Sequence, residues 1–230
     1  MGAMAVFWTE IYQKHFQKYF QKPFDIQVYH DRAGFALKLA THDWARRGFR
    51  VFTSMGMADK LVQNEEQDFG EVILFSDVPD KEIPQLFVNA LFFILQQNIP
   101  LGSRFSIGFS DADRRFTSRY GKTALYFTRT ADNDEKFAAV PPTLSASEGM
   151  APGRVFQAFF ITANEVKFLE EHGADAFEPE FWKQFGGELT QEERCDLLVD
   201  KAKSKELEAR LHELQQKTAR ALSIRRPSCV

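Results

Sequence analysis

Cysteine is nearly missing from this chain. Its 230 residues hold two, Cys195 in a stretch with helical spacing and Cys229 at the far end, in no pattern that makes a disulfide framework or a metal knuckle. That scarcity points to a reducing, cytoplasmic setting. Long apolar runs are missing too. The longest, such as LFVNALFFIL at 86–95, fall far short of the ~20 residues that a membrane span needs, and the N-terminus lacks a signal-peptide pattern. Neither sign of charge dominates: 29 Lys and Arg stand against 32 Asp and Glu, a net −3 with a sequence pI near 6.0. The whole molecule therefore has no electrostatic claim on nucleic acid.

Signatures of chemistry are equally scarce. The five histidines, His15, His30, His42, His172 and His212, never stand at ligand spacing, and the sequence holds no HExxH, no Cys-x-x-Cys and no Gly-x-Ser-x-Gly elbow. RYGKT at 119–123 resembles the end of a phosphate loop. Phe116, however, occupies the position of the required glycine, and a strand rather than a helix follows Thr123. Asp111 and Asp113 form one acidic pair, and Asp132, Asp134 and Glu135 form an acidic knot. Both lack the glycine and downstream glutamate of a calcium loop and read as solvated turns, with Arg114 and Arg115 beside the first. No catalytic, metal or cofactor residue is expected. The alternative is an enzyme with a site assembled from Asp111, Asp113, Arg119 and Tyr120 beside the polar 131–153 segment.

What the chain does have is phenylalanine, 24 copies, in a composition of 44% hydrophobic and 27% charged residues. This suits one folded domain with an aromatic core. VFWTEIYQKHFQKYFQKPF has the spacing of an amphipathic helix ending before Pro23, with Phe7, Ile11, His15 or Phe16, and Tyr19 or Phe20 on one side. DIQVYH, GFALKLAT, RGFRVFTSMGM and GEVILF then read as four strands of an antiparallel sheet, the last covered on both faces. VPDKEIPQLFVNALFFILQQNIPLG predicts a core helix with Phe87, Ala90, Leu91 and Ile94 as its stripe, Leu86 and Phe93 beside it, and Pro84 in the first turn. Residues 103–130 read as loop, irregular strand and then the strand TALYFTRT. A long polar connection follows, and VFQAFFIT returns to the sheet.

FFITANEVKFLEEHGADAFEPEFW gathers acids around His172, and helix construction accounts for them. Thr162 and Glu165 form a capping box, Ile161 and Val166 a hydrophobic staple, and Gly173 closes the helix behind His172. Glu178, before Pro179, leads into the next short helix. A second box, Thr190 to Glu193, opens a segment in which Leu207, Leu211 and Leu214 form a short seam that packs on the body or on a second copy. Residues 201–230 carry +5, leaving about −8 for the rest.

PFDIQVYH, VFTSMGM followed by GEVILF, LFVNALFFIL leading to NIPLG, and FFITANEVKFLEEHGADAF together resemble the suppressor-of-fused domain family, in particular its bacterial members. The resemblance covers roughly Val6 to Val199. It implies an α+β fold, a mostly antiparallel or mixed sheet with flanking helices, here over residues 5–200, followed by a basic helical C-terminal extension at 201–230. It also implies a non-enzymatic protein-interaction module, since the eukaryotic relatives hold a transcription factor and some bacterial ones look like immunity proteins that neutralise toxins. Met55, Gly56 and Met57 are the family feature carried over as candidate partner contacts, and Arg119 and Tyr120 are two further candidates. The partner is then a protein, with homodimerisation through the C-terminal helix as a second possibility.

Overall fold

The computed structural model describes residues 8–44, 49–61, 69–78, 80–130, 135–140 and 152–185. Four of its strands arise early: β1 (Asp25–His30), β2 (Ala36–Trp44), β3 (Phe49–Met55) and β4 (Gly70–Ser76). They pair in sequence order, each antiparallel to the next. The remaining strands are β5 (Phe105–Gly108), β6 (Ala124–Arg129), the two-residue β7 (Ala139–Val140) and β8 (Gly153–Ile161). β8 inserts between β4 and β6, parallel to the first and antiparallel to the second, which gives the order β1-β2-β3-β4-β8-β6-β5. The fold is α+β around this mixed sheet.

Val72, Ile73 and Leu74 of β4 are fully buried, as a run apolar on both faces requires. One face is covered by α1 (Trp8–Phe20), α6 (Ala163–His172) and α7 (Ala174–Phe185), where Phe20 meets Phe75, and Phe181 meets Phe159. The other face is covered by α3 (Ile83–Gln97) and α4 (Arg114–Tyr120), where Phe92 meets Phe35, and Phe116 meets Phe160. A short helix, α2 (Met57–Leu61), links β3 to the rest, and another, α5 (Glu135–Ala138), precedes β7.

The structure corrects several sequence expectations. α1 buries Trp8, Tyr12, Phe16 and Phe20, so Phe16 and Phe20 of the expected stripe are buried, Ile11 and Tyr19 lie at the flank, and Phe7 is outside the described residues. Two adjacent aromatic rows run along this helix, and Asp59 selects between them by accepting the amides of Trp8 at 2.7 Å and Thr9 at 3.1 Å. Phe93 is 45% exposed, on the outer side of α3. Residues 114–120, read as irregular, are helical, and residues 135–140 of the polar connection form a turn of helix and a strand. Glu178 does not precede a helix but lies inside α7, which contains Pro179. Burial of Phe177 and Phe181 holds α7 despite the amide that proline removes. The Thr190 box, the Leu207–Leu211–Leu214 seam, both cysteines, Asp132 and Asp134 lie outside the described residues.

Candidate functional site

Asp80 precedes α3 and reaches the C-terminal end of α4. Its Oδ1 accepts the Glu82 amide at 2.8 Å, which fixes the entry to the helix. Its Oδ2 accepts the Tyr120 hydroxyl at 2.7 Å and an Arg119 N–H at 3.2 Å, which ties in the end of α4. Gly121, at φ 65°, ends α4 there and turns the chain into β6. Around these groups lies a cleft of about 350 Å³, lined by Val78, Asp80, Lys81, Glu82, Arg115, Arg119 and Tyr120.

Burial opposes ionisation of Asp80, but the Glu82 amide, the Tyr120 hydroxyl and the Arg119 and Arg115 charges outweigh it and hold its carboxyl below the usual carboxylate range. A carboxylate so stabilised is a weak base and a firm anchor. Arg119 extends 5.0 Å over the Tyr120 ring and is 62% exposed, and Arg115 stands further out, 3.7 Å from Glu82. With Lys81, the rim offers three cations against two carboxylates. The site is suited to receiving an acidic group from another molecule.

Of the four residues expected to converge, Arg119 and Tyr120 do and the two aspartates do not. Asp111 pairs with Arg114 of its own turn at 2.9 Å, and Asp113 closes a capping box with Ser110. The four-residue site is therefore not assembled. Met55, Gly56 and Met57, expected at a partner surface, are buried. Gly56 has φ +118°, and it and Ala58 donate their amides to the Glu71 carboxylate at 2.8 and 3.0 Å, while the Ser54 hydroxyl donates at 2.6 Å. The turn is built to enclose a buried carboxylate, so its methionines face the core. Thr162 accepts the Glu165 amide at 3.2 Å, Glu165 accepts the Thr162 amide at 2.8 Å, and Gly173, at φ 78°, donates its N–H to Leu169.

Sequence reading missed Asp80 as a hub and Glu71 as an anchor. Each had a signal: an aspartate two residues before Glu82 at a helix start, and a lone acid in the apolar strand GEVILF. Among the described residues, no group of three or more His, Cys, Asp or Glu is placed to hold a metal ion, and no helix is long and apolar enough to cross a membrane.

The sequence matches no family model, and no curated protein significantly. Solved structures do match. A SUFU (suppressor of fused protein) homolog from Neisseria gonorrhoeae superposes with a TM-score of 0.59 at 13% identity, over 84% of this chain and 97% of that one. The fold is that of suppressor of fused. A chain of the Sufu–Fu complex shares it with a TM-score of 0.54 at 8% identity, over 82% of this chain and 90% of that one. Drosophila Suppressor of Fused matches with a TM-score of 0.57 at 10% identity over 89% of this chain, which spans about half, 54%, of the Drosophila chain. At these identities the likeness is one of fold, and the Asp80 cleft is described from this chain's own residues.

Proposed function

We propose that this chain is a non-enzymatic protein-interaction module that takes an acidic segment of a protein partner at the Asp80–Arg119–Tyr120 cleft. The observation that carries the reading is the suppressor-of-fused fold, shared over 90% of a chain whose structure is a complex of two proteins. The cleft supports it. Its cations outnumber its carboxylates, and Asp80, already donated to from three sides, is held as a structural anion rather than a proton acceptor. In the bacterial cytoplasm such a module acts as a regulator of its partner or as the neutraliser of a toxin domain. Both modes rest on binding, and residues 5–200 form the binding domain.

Affinity capture from the native host's lysate at low salt tests this. Wild type is expected to bring down one protein in near-equal amount. Arg119→Ala, with its melt measured alongside to establish that it is folded, is expected to recover much less of it. Equal recovery by the two proteins, or recovery of the chain alone, contradicts the reading.

A further inference from the structure

Among the described residues the strand β1 is a sheet edge, and the residues in it and just before it are unusual for one. Phe24, Ile26 and Val28 are 55%, 43% and 51% exposed. Ile26 and Val28 alternate with Asp25, Gln27 and Tyr29, so these two side chains share one face of the sheet, while Phe24 precedes the strand and lies 5.8 Å from the Arg50 guanidinium. Natural edges are blunted by lysine, proline, bulges or shortness. Here pairing with β2 runs unbroken through six residues from Asp25↔Thr41 to His30↔Ala36, and no lysine or proline interrupts the strand. The opposite edge, β5, has four residues and is half-buried over three of them.

The backbone says what kind of group fits. Asp31 donates its N–H to Phe35 O at 3.0 Å, just past the His30↔Ala36 pair. Antiparallel ladders alternate, so residues 25, 27 and 29 direct their N–H and C=O groups to β2, and Ile26, Val28 and His30 direct theirs outward. Only an extended strand satisfies such a row. That strand must place apolar residues opposite Ile26 and Val28 and polar ones opposite Asp25, Gln27 and Tyr29.

We infer that the occupant is a second copy of this chain, joined through β1 to β1 about a two-fold axis at Gln27. In that register Ile26 faces Val28 of the second copy and Val28 faces its Ile26, both as hydrogen-bonded pairs. Parity is thereby correct for the backbone and for the faces at once. Electrostatics agree, because no like charges oppose each other within the strand and each Asp25 meets the hydroxyl-bearing Tyr29 of the other copy. The interface is isologous and closes on itself. One strand pair covers less than the ~1,200 Å² that a permanent dimer buries, so association is concentration-dependent. The inference is independent of the cleft, which lies between α3 and α4.

Sedimentation of the full chain over a wide concentration range tests it. Wild type is expected to rise from the 26.5 kDa of one chain towards twice that mass. A double variant, Ile26→Lys with Val28→Lys, alters only exposed side chains and is expected to keep its melting temperature while association weakens by about tenfold or more. Val28→Pro, which removes an outward N–H that β2 does not use, is expected to act in the same direction. A wild type that stays at the mass of one chain throughout overturns the inference. So do variants that associate as well as wild type, which would place the contact elsewhere, such as residues 201–230. Protection of the β1 amides only in the presence of a different protein would give the edge to that protein and overturn it equally.

Discussion

Glu71 is a fully buried carboxylate in the central part of the sheet, and three donors surround it. Burial nevertheless wins, and its pKa is pushed up from 4.5 to about 7. A folded-state pKa above the unfolded one means that the native protein binds this proton more tightly. The stabilisation is present in full below pH 4.5 and is lost as pH rises through 7, a change on the order of 3 kcal/mol. Urea unfolding of wild type and Glu71→Gln at pH 5 and pH 8 checks this. Relative to the variant, wild type is expected to lose stability between the two values, and parallel behaviour would refute the assignment. At this scale the sequence was partly legible. SMGM stood out in the sequence, but its turn encloses a carboxylate 15 positions away, which no local pattern marks.

At the scale of elements, capping chemistry was readable because it is local. The Thr162–Glu165 pair closes both of its bonds as drawn from spacing alone. Thr162→Ala is expected to lower stability by about 1 kcal/mol in a thermal melt, through the Glu165 amide left without its acceptor. α4 was not readable, since seven residues with two buried positions, Phe116 and Tyr120, hold no periodic signal. The stripe of α1 was ambiguous for the opposite reason, an excess of aromatic residues on neighbouring rows. The parallel contact of β4 with β8 imposes a demand that no pattern announced. A Cβ on Gly70 would lie 1.9 Å from the Arg154 carbonyl oxygen, which is backbone and cannot rotate away. Gly70→Ala is therefore expected to cost about 3 kcal/mol, and a denaturation midpoint within error of wild type would show the two strands to be further apart.

For the whole molecule, the long strands and helices were legible in order and type, the short elements α2, α4, α5 and β7 were not, and neither was the assembly. β1 to β4 follow one another in space as in sequence, so antiparallel neighbours were the right expectation. β8 breaks that order by inserting beside β4, with Gly70 pairing Arg154, 84 positions on, and buried Phe156 and Ala158 pack there without any local signal. The candidate site has the same origin. Arg119 and Tyr120 were visible as isolated residues, and only the approach of α4 to the start of α3 sets them around Asp80.

A protein partner is proposed to sit on this surface. Amide hydrogen exchange on the chain alone and in complex with its captured partner addresses it most directly. Slower exchange is expected in the complex at residues 80–83 and 114–121. Unchanged exchange in both segments, with slowing confined to other parts of the molecule, would contradict it.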